Sequence, residues 1–313
     1  MIKKKRYGST LKEQLIAGAR DRLVAFSLSD GQVRGSLVQG TRLVNEMRAN
    51  HRLDILQTMV LGRVYLAALL MAANLKGNDR LSIQIKCSGP IGGVTVEANA
   101  FGEVRGYLKN ASLLVEKPLE SFDLSSFFGA GLLSVIRYPE GARQPFTGTV
   151  ALQYGNVAKD LANYYLTSEQ IPTAFHLSIF YDKQGEVAGA GGLLLQTMPG
   201  AGENLAKRLE QLIWDFPSPG EEFSKGREVK QLLTDEFKPF SPKILAQRRV
   251  EFMCHCNRGK VRSLLTMLPV DELKDMLDNG PFPIETACRH CNTAYEFNRR
   301  EIRKIYGMRF PNN

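Results

Sequence analysis

Hydrophobic and polar positions alternate in short runs over the first two hundred residues, and this alternation predicts β-strands joined by tight turns. The segment "LVAFSLSDGQVRGSLVQ" (23–39) has one such run on each side of the turn sequence SDG, which is a hairpin signal. Comparable strand candidates, separated by turns rich in Gly, Pro or Asp, occupy 81–111, 133–152 and 173–200. This part of the chain is therefore expected to be built from consecutive hairpins.

Helical patterns lie between these hairpins, at 42–75 and at 156–170. The most apolar stretch, "TMVLGRVYLAALLMAANL" (58–75), is interrupted by Arg63 and followed by polar residues, so we interpret it as a buried core helix and not as a membrane span. Hairpins with interposed helices favour an α+β fold over a parallel βαβ sheet.

The pattern changes at residue 201. In "ENLAKRLEQLIWDF" (203–216), leucine and isoleucine recur at i, i+4, i+7 and i+8, which places them on one face of a helix. We expect this face and the adjacent tryptophan to cover the first domain, and we name the set the switch surface: Leu205, Leu209, Leu212, Ile213 and Trp214. For any single residue of this set, permanent packing between the domains explains its position in the pattern equally well.

The sequence "PSPG" (217–220) interrupts this helix, and 221–237 predicts a second, weaker one. We therefore predict three parts: a domain of β-sheet and helices at 1–200, a helical linker of marginal packing at 201–247, and a small C-terminal domain at 248–313. The C-terminal part is of a size at which a hydrophobic core alone is marginal and a bound metal commonly helps.

Composition and charge narrow the class of protein. The chain has 313 residues, 43% of them hydrophobic, which is enough for a substantial core. Its net charge of +9 is concentrated at the two ends. The basic start "MIKKKRYG" is not followed by an adequate apolar region, so we expect no signal peptide and a cytoplasmic protein whose thiols are kept reduced.

Four of the five cysteines form two close pairs near the C-terminus: Cys254 and Cys256 as C-x-C, then Cys288 and Cys291 as C-x-x-C, after thirty-one intervening residues. Two thiol pairs brought together in this way supply the four thiolates of a closed tetrahedral zinc site. We therefore predict one structural Zn²⁺ in the reduced protein.

The same four cysteines also fit a redox switch. Each pair is close enough to form its own disulfide once the metal is lost, and the C-x-C ring is the more strained of the two. Three basic residues lie close to these cysteines in the sequence: Arg258, Lys260 and Arg289. Their positive charge would favour the reactive thiolate form of the cysteines. A purely structural zinc site is the common alternative.

The remaining candidate ligands are not needed for such a site. His255 and His290 lie between the thiols, and with four cysteines available we expect both to be outside the ligand set. Cys87, far away in a strand candidate, is interpreted as a buried, hydrophobe-like thiol without a role.

The cysteine pattern and several other segments resemble those of the heat shock protein 33 family of redox-regulated chaperones. The resemblance is carried by both cysteine motifs with their thirty-one-residue spacer and by four further stretches: "CRHCNTAYEFNRREI" (288–302), "SEQIPT" (168–173), "GGLLLQTMPG" (191–200) and "LSIQIKCSGPIGG" (81–93). These segments follow one another along nearly the whole chain.

The resemblance implies a stress-response chaperone that is inactive when reduced with zinc bound. Oxidation would first pair Cys288 with Cys291, after which the zinc would leave and the linker would loosen. Cys254 would then pair with Cys256. The activated protein, commonly a homodimer, would bind unfolded client proteins without ATP. No membrane partner is implied, and the protein would not be an enzyme.

Two other functional classes were weighed on the residues alone. An enzyme is disfavoured because the chain has four histidines, no phosphate-binding glycine loop and no serine-centred elbow. The glycine-rich "GAGG" (189–192) lies in a β context and is interpreted as a strand distortion or turn.

A zinc-stapled nucleic-acid-binding protein is the alternative, since "NRREIRKIYGMRF" (298–310) interleaves basic and aromatic residues. Nucleic acid is nonetheless an unlikely partner, because the long neutral domain would be unexplained.

Overall fold

The computed structural model describes residues 21–111 and 123–308, except for the side chains at 203, 204, 206, 209 and 210. The chain divides into two compact units that meet between Met253 and Cys254. Each unit is described by itself below.

The first unit contains a five-stranded sheet that is antiparallel throughout. Its strands run in the order β10-β1-β2-β9-β8. Their bounds are β1 Arg22–Leu28, β2 Val33–Gln39, β8 Thr173–Tyr181, β9 Val187–Thr197 and β10 Lys243–Arg249. The predicted hairpins at 23–39 and 173–200 are therefore confirmed as β1–β2 and β8–β9.

This unit also contains a six-stranded sheet, in the order β11-β5-β4-β3-β6-β7. All of its pairs are antiparallel except β11–β5. Its strands are β3 Arg80–Cys87, β4 Gly93–Asn99, β5 Glu103–Leu108, β6 Gly131–Tyr138, β7 Phe146–Ala151 and β11 Glu251–Phe252. The α+β prediction is confirmed by these antiparallel sheets and the helices between them.

Among the described residues of this β-rich part, four α-helices are present: α1 Thr41–His51, α2 Ile55–Ala72, α3 Ser125–Phe128 and α4 Val157–Tyr164. Helix α2 contacts strands of both sheets, and all of its residues except Ile55 and Arg63 are buried. A helix that is apolar all round must be surrounded, which explains why α2 lacks a polar face. It is long and apolar enough to cross a membrane, but 89% of it is buried inside the unit, as the sequence predicted for a core helix.

Two polar contacts fix α2 between the sheets. The Tyr65 hydroxyl donates to the carbonyl oxygen of Gly106 on β5 at 2.9 Å, and the Ser36 hydroxyl on β2 donates to the carbonyl oxygen of Leu70 at 3.0 Å. Both hydroxyl groups are buried, so each bond offsets the cost of removing polar atoms from water.

The linker packs on the other face of the five-stranded sheet. Its helices are α5 Glu203–Asp215, α6 Pro219–Ser224 and α7 Val229–Glu236. Apolar side chains of β1, β2 and β9 form one hydrophobic cluster with seven buried linker residues: Phe216, Phe223, Val229, Leu232, Leu233, Phe237 and Phe240. The ring of Phe237 lies at the centre, 5.4 Å from the Phe26 ring and 5.5 Å from the Phe216 ring.

Three members of the switch surface, Leu205, Leu212 and Ile213, are partly buried against this cluster, and the side chain of Leu209 lies outside the described part of the chain. The expectation that Trp214 is covered is wrong, because its side chain is 87% exposed. Trp214 follows Ile213 by one residue, and a step of one residue turns a helix by about 100°, which carries the indole off the packed face.

Two details of the linker differ from the sequence prediction. The single helix expected at 221–237 is two short helices, separated near Gly226, which has φ +87°. The end of the expected helical linker is strand β10, which pairs with β1. Most side chains of β10 are exposed, so backbone pairing and not a buried apolar face specifies this edge strand.

The glycine-rich "GAGG" (189–192) is not a turn. It lies inside β9, and the register irregularity of the β8–β9 pair falls just before it, between Phe180 and Tyr181. A side chain at Gly189 would overlap the backbone of α6 at Gly220, and one at Gly191 would overlap the Phe223 ring. These glycines allow the linker backbone to approach the sheet closely.

The second unit, residues 254–308, contains α8 Arg258–Leu265, α9 Val270–Asn279, the hairpin of β12 Ile284–Ala287 and β13 Ala294–Phe297, and α10 Arg299–Gly307. Its buried apolar cluster is small: Val261, Leu265, Leu273, Phe297, Ile302 and Ile305. So few buried side chains give limited stability, as expected for a module that a metal completes.

Candidate metal centre

The two cysteine pairs are presented by an irregular segment before α8 and by a hairpin turn of the second unit. Cys254 and Cys256 immediately precede Asn257, whose side chain caps α8 by accepting from the Lys260 N–H at 2.9 Å. Cys288 and Cys291 occupy the turn of the β12–β13 hairpin. That turn is closed by the Asn292 N–H donating to the Cys288 carbonyl at 2.7 Å.

All four predicted ligands come together in one cluster. The sulfur atoms of Cys254, Cys256, Cys288 and Cys291 lie within 4.8 Å of one another. Contacts between sulfur atoms join the two pairs, with 3.8 Å between those of Cys254 and Cys288 and 3.3 Å between those of Cys256 and Cys291. Four thiolates at about 2.3 Å from a tetrahedral zinc ion are about 3.8 Å from each other, so the cluster has the right size for such an ion.

The donor set also has the right chemistry. Backbone N–H groups of Cys256, His290 and Thr293 donate to the sulfurs of Cys254, Cys288 and Cys291 respectively, and such bonds stabilise thiolates. Neither His255 nor His290 belongs to the group of four. All four thiols are free, and Cys254 and Cys291 are buried while Cys256 and Cys288 are half-buried.

Ionisation of one thiol strongly affects its neighbours. Hydrogen bonds from the Cys288 and Cys291 thiols lower the pKa of Cys254 far below its usual range. The same contacts raise the pKa of Cys288 to about 11 and also raise the pKa of Cys291, because these thiols are the donors. Several thiolates can coexist at this distance only with a cation among them, which is the electrostatic role of a bound divalent metal.

Two of the basic neighbours identified in the sequence, Arg258 and Lys260, make contacts other than with the thiols. The Arg258 guanidinium pairs with Glu301 at 2.7 Å and lies over the Phe297 ring at 4.7 Å, and the Lys260 ammonium donates to the His255 carbonyl oxygen at 2.8 Å. Their charges are used to join α8 to α10 and to hold the residue between the two C-x-C cysteines.

Two hydroxyl groups contact the thiols instead, and the sequence analysis missed both. The Tyr295 hydroxyl donates to the Cys256 sulfur at 3.1 Å, and the Thr293 hydroxyl is 3.2 Å from the Cys291 sulfur. Burial and the bond to Cys256 raise the pKa of Tyr295, which remains a protonated donor. The signal was present in "CNTAYEF", where hydroxyl-bearing residues follow the second cysteine pair at short spacing.

Cys87 takes no part in this cluster. It ends β3 in the first unit, and partial burial raises the pKa of its thiol. A thiol kept in its neutral form is a poor nucleophile, consistent with the absence of a predicted role.

Comparison with known proteins agrees with these features. Residues 21–298 match the model of the Hsp33 protein family. The 33 kDa chaperonin of Desulforamulus reducens is 36% identical over 287 residues, covering 91% of this chain and 97% of that protein. The 33 kDa chaperonin of a Synechococcus species is 37% identical over 291 residues, covering 91% and 89% respectively.

A solved structure extends the agreement to the fold. The crystal structure of the 33 kDa chaperonin of Thermotoga maritima, titled a heat shock protein 33 homolog, superimposes with a TM-score of 0.84 at 32% identity. The match covers 94% of this chain and all of that one. With the family model matched from 21 to 298 and both cysteine pairs gathered into one cluster, the chain belongs to the Hsp33 family of chaperonins.

Proposed function

We propose that this protein is a redox-regulated, ATP-independent holdase that binds unfolding proteins during oxidative stress. The observation that carries the proposal is the single cluster formed by Cys254, Cys256, Cys288 and Cys291, in a chain whose linker covers an apolar sheet face. The reduced protein with one Zn²⁺ bound is the inactive form. Chaperones of this kind bind clients and catalyse no reaction.

Zinc, when bound, holds the four thiolates together and so stabilises the small C-terminal module. Peroxide oxidises the thiolates, and the disulfides Cys288–Cys291 and Cys254–Cys256 replace them as the stable form. Disulfide formation removes the metal ligands, and the module then lacks sufficient core to remain folded.

Activation requires that the linker at 201–247 leave the sheet. Its release would uncover the apolar face of β1, β2 and β9, including Phe26, Leu37 and Leu193, together with the linker's own apolar side chains. Exposed patches of this kind bind unfolded chains. The activated form is proposed to be a homodimer, and the cytoplasm is the compartment in which the thiols start reduced.

The nucleic-acid alternative gains no support from the C-terminal module. Arg258 pairs with Glu301, and Arg299 donates to the carbonyl oxygen of Leu277 while its guanidinium lies over the Phe282 ring. Arg299 of the basic stretch at 298–310, and Arg258 outside it, are therefore used for packing within the module.

The test compares reduced, zinc-loaded protein with protein treated with peroxide under mild heating. Light scattering from an unrelated unfolding protein measures the holdase activity, and bound zinc is measured in parallel. We expect strong suppression of scattering only by the oxidised, zinc-free form. Equal suppression by both forms would contradict redox regulation and leave an unregulated chaperone.

A further inference from the structure

Strand β10 covers the edge of β1 in the five-stranded sheet, whose order is β10-β1-β2-β9-β8. Six antiparallel residue pairs join the two strands, from Arg22 opposite Arg249 to Ser27 opposite Lys243. The β10 members of four of these pairs, residues 243, 244, 246 and 247, lie in the linker at 201–247. A linker that leaves the sheet therefore also uncovers the backbone of β1 at 24–27.

Backbone pairing is the main attachment of β10 to β1. Opposed residues of an antiparallel pair lie on the same face of the sheet, so Ile244 lies beside Phe26 on the linker-facing side, yet its side chain is 42% exposed. Polar contacts hold the two ends of β10. The Lys243 ammonium pairs with the Asp30 carboxylate at 2.9 Å, and the Arg248 guanidinium donates to two carbonyl oxygens of the first unit. The edge of β1 thus accepts a strand whose side chains contribute little buried apolar surface.

The exposed edge of β10 and the covered edge of β1 differ in how readily they pair with another chain. β10 carries Lys243, Arg248 and Arg249, together with a register irregularity that leaves Leu245 without an opposed residue. Charged side chains and bulges are features by which edge strands avoid pairing with other chains. β1 has neither a charged residue nor a proline in "LVAFSL" (23–28). While the linker is docked, β10 therefore hides a strand edge that is open to pairing and presents one that resists it.

We propose that, in the activated protein, an extended segment of an unfolded client replaces β10 on the edge of β1. The inference rests on the proposed function, because it requires the linker to leave the sheet. Backbone groups of the client pair with those of β1, which gives affinity without a strict sequence requirement. Every second side chain of the client lies beside Val24 and Phe26 on the uncovered apolar face. The client is therefore bound both by its backbone and by alternate apolar side chains.

A client segment competes with β10 itself, which remains attached to the same chain. On the linker-facing side, β10 places Ile244 opposite Phe26 and Gln247 opposite Val24. A client with apolar side chains at both positions buries more apolar surface than β10 does, and this gain offsets the high effective concentration of the attached strand. The preferred clients are thus segments that alternate apolar and polar residues, the pattern of strands that a folded protein half-buries.

Hydrogen exchange of full-length wild-type protein measures whether the edge of β1 is uncovered and then occupied. The probe is an acetylated, amidated peptide that alternates valine with threonine and lysine. Amides within 22–28 that bond to β10 should exchange at least about tenfold faster in the oxidised, zinc-free protein than in the reduced protein. The peptide should restore their protection, while amides of β4 stay unchanged in all states.

An N-methylated form of the probe separates backbone pairing from contact with the apolar face. It keeps every side chain and lacks the central N–H donors. Each hydrogen bond is worth about fivefold in affinity, so we expect the unmodified peptide to bind the oxidised protein at least about tenfold more tightly than the N-methylated one. Fluorescence anisotropy of the labelled peptides measures both affinities. The reduced, zinc-loaded protein should bind the unmodified peptide at least about tenfold more weakly than the oxidised protein does.

A disulfide between the strands tests the same edge with a whole client protein. Ala25→Cys with Ala246→Cys replaces two opposed residues and ties β10 to β1, while the linker helices stay free to leave. The control, Ser134→Cys with Thr149→Cys, ties β6 to β7, where the two hydroxyl groups are 2.8 Å apart. Both disulfides are formed in zinc-loaded protein that also carries Cys87→Ser. We expect peroxide to release zinc from both proteins, and the β1–β10 disulfide to weaken suppression of light scattering at least about threefold relative to the control.

The outcomes separate the inference from the function on which it rests. Oxidised wild-type protein that kept its zinc, or suppressed scattering no better than the reduced form, would overturn the proposed function itself. With a working switch, any of three results would overturn only the inference: a β1 edge that stays protected on activation, equal binding of the two peptides, or a β1–β10 disulfide that leaves suppression at the control level. Protection of β1 restored by the unmodified peptide alone supports replacement of β10, even where the disulfide also retains the linker helices.

Discussion

Gly189 of β9 and Gly220 of α6 are in backbone contact across the linker–sheet interface. A β-carbon at Gly189 would overlap the Gly220 carbonyl oxygen, and the Gly220 N–H donates to the Ser178 hydroxyl of the neighbouring strand at 2.7 Å. The closest point of linker docking therefore depends on the absence of a side chain, and it involves backbone atoms that cannot rotate away.

Replacing Gly189→Ala should loosen the linker. Overpacking against fixed backbone costs about 1–3 kcal/mol, and we expect α6 to lift from the sheet while the β8–β9 pairing remains. Limited proteolysis of the reduced protein should cut faster between 216 and 228, and its holdase activity should rise before any oxidation. Gly202→Ala is the control, because nothing lies within 4 Å of the added carbon. A cleavage rate equal to that of the wild type would show that α6 does not approach β9 this closely in solution.

Arg227 joins the two short linker helices. Its guanidinium pairs with Glu222 of α6 at 3.0 Å and with Asp235 and Glu236 of α7 at 2.9 Å each, and its side chain is only 20% exposed. Arg227→Gln should reduce the local free energy of unfolding by about 1 kcal/mol, since networks of partly buried pairs exceed isolated surface pairs. Hydrogen exchange of amides in 219–236 should become about fivefold faster in low salt, and the difference should shrink as salt is added.

Lys225, which is more exposed and also pairs with Glu222, provides the control for Arg227. Its side chain is 58% exposed and bridges Glu221 and Glu222 at 3.0 Å. Lys225→Gln should change the same exchange rates by less than about twofold, because exposed pairs contribute little. If the two substitutions changed the exchange rates equally, Arg227 would not be what holds α6 and α7 together.

The sequence predicted those features that have a local signature. The alternation of hydrophobic and polar residues identified the hairpins β1–β2 and β8–β9, and the spacing of the cysteines identified all four members of the cluster. Strand β10 was missed because an exposed edge strand has no alternating buried face, and the separation of α6 from α7 at Gly226 depends on docking to the sheet. The Tyr295 contact to Cys256 spans thirty-nine positions, and no single-sequence pattern reports such a distance.

The exposed Trp214 gives a direct test of the linker's orientation. Reduced, zinc-loaded protein should show the red-shifted emission of a solvated indole and efficient quenching by acrylamide, because Trp214 is the single tryptophan of the chain. Trp214→Ala should change stability by less than about 0.5 kcal/mol, whereas Leu212→Ala, at a partly buried position on the cluster, should cost about 1–2 kcal/mol. Blue-shifted emission that resists quenching would mean that α5 is rotated with its indole against the protein.

Metal removal should unfold the C-terminal module and leave the first unit folded. The buried apolar cluster in the described part of the module has only six side chains, whereas structural zinc contributes on the order of 10 kcal/mol to the folding of small domains, so chelation removes most of its stability. Hydrogen exchange should show loss of protection in α8, α10 and the β12–β13 hairpin, with β3 and β4 unchanged. Cys288→Ser should reproduce this loss without chelator, while Cys87→Ser, which changes a thiol outside the cluster, should retain one zinc per chain and full protection. Protection of the module that survived complete removal of zinc would show that its six-residue core suffices, and the switch could not then operate through metal-dependent folding.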